Sequence, residues 1–248
     1  MNHFQVKCPK CSGSRFWKTS DNRFKCKNCR HIFSPKPNPL NLSSEVLNVV
    51  VSEFLLGHST NIILERVNIS KYKLLKVLTL LRMLMTKDVP DAFERIVKLN
   101  KTQIGFDTIK QPVFGILCRE GKVYAEIVPG IEAKDLKPLV KKHIKKESII
   151  YPDSWRRYTG LAFKGYVHRL VDHSKNEYTN SKEYRINTLE GFWGYLKRKL
   201  AAKGGVRRER LPLYLGEYIW RYNHRKLTLK EQEKRLLSLV FQYFGPKN

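Results

Sequence analysis

The sequence predicts an α/β domain, a mixed sheet with helices packed on it, preceded by a cysteine-rich unit and a helical one. Three observations carry that prediction. Two C-x-x-C pairs, Cys8–Cys11 and Cys26–Cys29, stand near the N-terminus. Residues 42–86 then repeat apolar side chains at helical spacing. From residue 101 the apolar period changes to that of strands. The resulting order is three antiparallel strands, a helix, a fourth strand and further helices, which belongs to a sheet layered with helices.

Charge narrows the class of partner. Lys and Arg number 48 and Asp and Glu 22, a formal net charge of +26. Charge of this size calls for a polyanion, either nucleic acid or an anionic membrane surface. No run of about 18 apolar residues occurs, so a bilayer span is excluded. The best apolar stretch, VLNVVVSEFLL, is interrupted by Ser52 and Glu53. The opening MNHFQVKCPKC has no apolar leader core. The expectation is therefore a reducing, cytoplasmic setting with access to the nucleoid, and no membrane partner.

Residues 1–33 read as a zinc ribbon. Cys8, Cys11, Cys26 and Cys29 have the spacing of a four-cysteine Zn²⁺ site, each pair sitting on a tight turn. The intervening SGSRFWKTSDNRFK reads as a hairpin whose core is Phe16, Trp17 and Phe24, too little to hold a fold without the ion. Two disulfides are the alternative, which a reducing compartment disfavours. Cys118, alone in an apolar strand, reads as core packing.

Residues 34–41 form a Pro-rich linker. Residues 42–100 form a helical region. SSEVLNVVVSEFLL is closed by Gly57, STNIILERV follows, and Ser70 caps the basic helix KYKLLKVLTLLRML. A short helix, a turn and a basic helix make a helix-turn-helix outline, with Lys71, Lys73 and Lys76 facing DNA. Many trihelical units share this outline.

Residues 101–248 form the α/β domain. TQIGFDTI, PVFGILC and VYAEIVPG are its first three strands, EAKDLKPLVKKHI a helix, and ESIIYPD an apolar run ending in a carboxylate. INTLEGFWGYLKRKL is an amphipathic helix. Leu189, Phe192, Trp193, Leu196 and Leu200 form its apolar stripe, and Asn187, Glu190, Gly194 and Lys197 lie opposite. Three acids stand out: Asp107 in the first strand, Asp153 where IIYPD leaves the sheet, and Glu190 on the polar helix face. Ligands gather at strand ends in α/β sheets. Three converging carboxylates suit Mg²⁺ or Mn²⁺, and a pair of such ions serves phosphodiester chemistry. Lys197, Arg198, Lys199, Arg207 and Arg208 would then hold phosphates. Taken singly, each acid also reads as an ordinary solvated carboxylate.

These stretches, with GYVHRLVDHSKNEY and YIWRYNHRK, resemble bacterial insertion-sequence transposases of the ISXO-like DDE group. The resemblance covers nearly the whole chain and rests on N-T-x-E-G-x-W-x-x-L-K combined with the upstream D-H-S and the strand-end Asp. It implies an N-terminal zinc ribbon, a helical DNA-binding region and an RNase H-like catalytic domain. Asp107 and Asp153 would be the first two acids. Glu190 would be the third, because carboxylate binds Mg²⁺ better than amide, with Asn187 one turn away as the other candidate. The family has Asp-Glu at the first acid and a longer basic insertion; this chain has Asp107-Thr108 and a shortened segment before Pro112.

The implied reaction is metal-dependent cleavage at the ends of an insertion sequence, then strand transfer into target DNA. A homodimer or higher oligomer on DNA is implied, since two ends must be held. Two other functions fit the residues: a sequence-specific DNA-binding regulator or inactive transposase relic, and a nuclease that cuts without joining. His173 reads as a DNA contact or a structural histidine, Trp193 and Trp220 as core. Tyr222, Asn223 and Arg225 read as a helix cap or a phosphate site.

Overall fold

The computed structural model describes residues 8–20, 23–33, 40, 42–90, 92–104, 110–118, 121–130, 132–152, 165–168 and 187–244. The chain divides into two compact units, Met1–Leu84 with Leu227–Asn248, and Met85–Lys226.

The first unit opens with a three-stranded antiparallel sheet, β1 (Phe16–Lys18), β2 (Phe24–Cys26) and β3 (Ile32–Phe33). Its core differs from the sequence expectation. Phe16, Phe24 and Phe33 cluster, with ring centroids 5.4–6.2 Å apart, while Trp17 is 49 % exposed. Consecutive strand residues face opposite ways, so Phe16 and Trp17 cannot both point inward. Trp17 instead pairs with Lys25 on the outer face, where the Lys27 ammonium lies 5.6 Å from its ring centroid.

Three helices follow as the spacing predicts. α1 (Ser44–Leu56) starts at Ser43, whose hydroxyl accepts the Val46 N–H, and ends at Gly57. Gly57 has φ +85, the left-handed conformation that a helix-ending glycine supplies without strain. Ser59 caps α2 (Thr60–Arg66) and Ser70 caps α3 (Lys71–Lys87). Glu53 is buried in α1 and ties α1 to α2. Its carboxylate meets His58 Nδ1 at 2.5 Å and Arg66 Nη1 at 2.7 Å. The His58 hydrogen bond first, and the Arg66 charge after it, hold this carboxyl below its ordinary range. α7 (Leu229–Phe244), at the far end of the chain, packs against α1 and buries Leu236 and Val240. The helices of this unit thus gain a partner from beyond residue 226.

The second unit is built on a five-stranded sheet. Its strands are β4 (Ile96–Ile104), β5 (Gln111–Cys118), β6 (Val123–Ile127), β7 (Ile149–Pro152) and β8 (Val167–His168), ordered β6-β5-β4-β7-β8. β4, β5 and β6 pair antiparallel, whereas β4–β7 and β7–β8 are parallel. The first strand begins at Ile96, earlier than the expected start at residue 102, because Val97 and Leu99 reach the core by strand alternation.

Alternation along β5 separates two apolar layers. Phe114 and Ile116 face α4 (Ala133–His143), packing with Leu136, Val140 and Ile144. Val113 and Leu117 face α5 (Asn187–Ala201) and α6 (Leu211–Asn223). The apolar stripe read from the sequence, Leu189 to Leu200, lies in this second layer. Gly115, on the same face, is where helix and sheet approach most closely: a Cβ there would stand 2.7 Å from Trp193 Cη2 and closer still to Cζ2. Gly115→Ala should therefore cost about 1–3 kcal/mol by overpacking. Urea unfolding of the full chain measures this, and an unchanged midpoint would show that Trp193 moves aside freely.

Trp193 and Trp220 are both core residues, as expected, and the Trp220 indole N–H donates to Asp88 Oδ2 at 2.7 Å. The RYNHRK segment proves structural. The Asn223 side chain accepts from the Val123 N–H at 2.7 Å and donates to its carbonyl at 2.8 Å, which occupies the outer edge of β6. Arg225 donates to the Tyr222 carbonyl at 2.6 Å and stacks on the Tyr222 ring, closing the end of α6.

Candidate active site and metal centre

The cysteine centre is formed by two turns at one end of the small sheet. The sulfurs of Cys8, Cys11, Cys26 and Cys29 all lie within 4.8 Å of one another. Cys8 and Cys29 are 3.4 Å apart and Cys11 and Cys26 3.5 Å, and all four are free thiols. A tetrahedral Zn²⁺ with bonds of about 2.3 Å would separate its sulfurs by roughly 3.8 Å. The donor set therefore fits the ion. The electrostatics agree. The Cys29 backbone N–H, then that of Asn28, help lower the Cys26 thiol to about 7. Cys11 benefits from a backbone hydrogen bond at Gly13, yet the Cys29 and Cys26 thiols beside it push it up to about 12. Four crowded thiols resist ionising together unless a cation compensates them. Among the described residues, these four are the one group of His, Cys, Asp or Glu gathered closely enough to hold an ion.

The catalytic acids named from the sequence fall differently. Asp107, Asp153 and His173 lie outside the described residues, as do the side chains of Asn187 and Glu190. The elements that lead to them are described. β4 ends at Ile104 and β7 at Pro152, and the two strands are parallel neighbours with Leu99 opposite Pro152. The chain therefore leaves both in the same direction, with β4 running five residues past the end of β7. Asn187 and Glu190 lie in the first turns of α5, whose Trp193 packs on Gly115 in β5, next to β4.

The basic residues expected to meet phosphate are placed on surfaces. Lys197, Arg198 and Lys199 are exposed in the last turns of α5, and Arg207 and Arg208 are exposed before α6. At the start of α3, Lys71 and Lys76 are exposed and Lys73 half-buried. Tyr72 is 69 % exposed and Leu75 40 %, with the Lys76 ammonium 4.4 Å from the Tyr72 ring centroid. Sequence reasoning passes over Tyr72 and Leu75 because an aromatic or Leu in a helix reads first as core. Their positions one residue after Lys71 and one before Lys76 are the available signal.

The sheet order, its mixed pairing and helices on both faces define the second unit as an RNase H-like α/β domain, preceded in the chain by a four-cysteine ribbon. Residues 91–223, more than half of the chain, match the ISXO2-like transposase domain family, and the chain belongs to that family. A relative from Haemophilus influenzae, described as an uncharacterized transposase-like protein, is 34 % identical over 119 residues. Those are 48 % of this chain and 94 % of that one. A chain of the simian T-cell lymphotropic virus intasome, solved in complex with PP2A regulatory subunit B56 gamma, is similar at 11 % identity with a TM-score of 0.38. That match covers 71 % of this chain and 68 % of that one. Among the described residues no helix is long and apolar enough to cross a membrane.

Proposed function

We propose that the chain cuts DNA at the ends of an insertion sequence and joins the freed ends to target DNA, with Asp107, Asp153 and Glu190 as the metal-holding acids. The observation that carries this reading is the parallel pairing of β4 and β7. It sends both strands the same way, β7 ending opposite Leu99 directly before Asp153 and β4 running five residues further to Ile104, three residues before Asp107. The packing of α5 through Trp193 supports bringing Glu190 toward these strand ends, with Asn187 one turn away to orient it or touch DNA.

Oxygen-only acids of this kind hold Mg²⁺ or Mn²⁺, which would supply activation of the attacking oxygen and stabilisation of the leaving one. The chain's own part is to position. Lys197, Arg198, Lys199, Arg207 and Arg208 hold the backbone phosphates on either side of the scissile bond. In the first step a water oxygen bonds to phosphorus and the 3′ oxygen leaves with a proton as a hydroxyl. In the second that hydroxyl attacks a target phosphodiester, and the target's 3′ oxygen leaves. No Ser, Tyr or Cys nucleophile is required. A dimer or larger assembly would hold both ends.

The helix-turn-helix would find the ends. Its third helix presents Lys71, Tyr72, Leu75 and Lys76 together, with two cations for phosphate and two apolar groups for base edges. Replacing Lys71 and Lys76 by Ala should weaken end binding. It should also lower the slope of log affinity against log salt by about 0.9 for each phosphate no longer neutralised, close to two in all. Fluorescence anisotropy over a salt series reads this, and an unaltered slope would remove α3 from the interface. The same exposed group would serve a DNA-binding regulator. That reading predicts function independent of Asp153, and the cleavage assay described in the Discussion separates the two.

A further inference from the structure

The segment Lys141-Lys142-His143-Ile144-Lys145-Lys146 belongs to none of the sites above. It runs from the end of α4 toward β7, and its pattern is two exposed lysines, two buried residues, then two exposed lysines. His143 is 2 % exposed and Ile144 3 %. These two pin the segment, and backbone bonds fix both flanks. The Phe93 N–H donates to the His143 carbonyl at 2.7 Å, and the Lys145 N–H donates to the Phe93 carbonyl at 2.9 Å. Beyond them the Glu147 N–H donates to the Gly165 carbonyl at 2.8 Å and the Ile149 N–H to that of Arg95 at 2.6 Å. Arg95 and Glu147 hold left-handed φ values of +66 and +68, which non-glycine residues seldom adopt outside an enforced local structure. The lysines are therefore mounted on a set backbone.

A cleft of about 690 Å³ opens at this place, lined by Lys141, Lys142, Lys145 and Lys146 with Ala92 and Tyr166 at its walls. Lys145 donates to Glu94 Oε2 at 2.7 Å. Lys141, Lys142 and Lys146 have no ion-pair partner among the described residues. Cations in the last turn of α4 are explained in part by the helix dipole, but that effect fades within a turn and does not reach Lys145 or Lys146. The cleft lies where the chain enters β4, β7 and β8. Those three strands are parallel, so it stands at the sheet end opposite to the one leading into Asp107 and Asp153. Strand rise puts the departure toward Asp153 roughly 13 Å from the cleft end, over the four residues of β7, and the departure toward Asp107 roughly 30 Å from it, over the nine residues of β4.

We propose that this lysine cleft is a second binding site for the phosphodiester backbone of DNA, at the sheet end away from the reacting phosphates, which Lys141, Lys142 and Lys146 grip as point charges. The proposal rests on the DNA-processing reading above. That offset lets the lysines hold backbone phosphates a few base pairs from those being cut, so the cleft contributes affinity and placement without touching the chemistry.

The test is a full-length Lys141→Ala, Lys142→Ala, Lys146→Ala variant, three exposed changes that leave the pinned His143 and Ile144 in place. With element-end duplex, its salt slope should fall by up to about 2.7, from three phosphates at about 0.9 each. In parallel, lysine acetylation footprinting by mass spectrometry on wild type should show these lysines protected by duplex and not by inorganic phosphate at equal ionic strength. An unchanged slope with unprotected lysines overturns the site. Protection by inorganic phosphate alone overturns it as a DNA site and makes it a small-anion site. If the lysines stay unprotected while Lys71→Ala, Lys76→Ala still reduces the slope, the cleft fails and the transposase reading stands. If wild type binds no duplex at all, both fall.

Discussion

Replacing Asp153 by Asn should abolish cleavage at the element ends while leaving end binding intact. The substitution keeps size and hydrogen bonding and removes the charge that holds a divalent ion. Charge stabilisation by such an ion is worth several kcal/mol in the transition state, and each 1.36 kcal/mol is tenfold in rate. The expected loss is therefore on the order of 10³-fold or more. Labelled duplex carrying the flanking ends, incubated with Mg²⁺ or Mn²⁺, reads cutting on a gel, and anisotropy reads binding. Asp107→Asn and Glu190→Gln should behave alike, whereas Asn187→Ala should retain more activity if Glu190 is the third ligand. Persistent cutting by the Asp153 variant would sink the assignment. If neither wild type nor variant cuts, yet both bind, the chain is a DNA-binding relic or regulator, the outcome that the shortened segment between Asp107 and Pro112 makes worth testing first.

Removing the ion from the four-cysteine centre should unfold the ribbon and leave the sheet of the second unit folded. The ribbon's apolar content is Phe16, Phe24 and Phe33, three rings on one face of three short strands. Against that small core, zinc binding in units of this kind contributes about 10–16 kcal/mol at neutral pH. A chelator or Cys26→Ser should therefore collapse the amide signals of β1, β2 and β3 to random-coil positions in an NMR spectrum. Those of β4 and β5 should stay where they are. Cys118→Ser, packed in the sheet layer of the second unit, should change nothing in the ribbon. Ribbon amides that survive chelation with five reduced thiols would show that the fold stands without metal.

Much of the architecture was legible because its signals are local. The cysteine spacing, the Ser70 cap, the Gly57 stop and the Leu189–Leu200 stripe each act over one or two turns of chain, and each element stands where its signal put it. Trp17 misled because hydrophobicity alone does not say which face of a strand a residue occupies; only the register with Lys25 does. The RYNHRK segment left two roles open because its partners, Val123 and Gly121, lie about 100 residues upstream.

What the sequence determined by itself is the kind of parts this protein has: a ribbon with the cysteine spacing of a zinc site, capped helices, a strand-rich domain and a net charge of +26. What only the tertiary structure decided is which parts meet. It set β4 beside β7, so that two acid-bearing segments depart in the same direction along the sheet. It brought α7 back to α1, although the whole α/β domain intervenes in the chain. It also gathered four lysines around a cleft at the other end of the sheet. The physical reason is that capping and periodicity are written in neighbouring residues. Strand order and helix return depend on burying apolar faces that are distant in the chain, and no short stretch of sequence records the partner it will find.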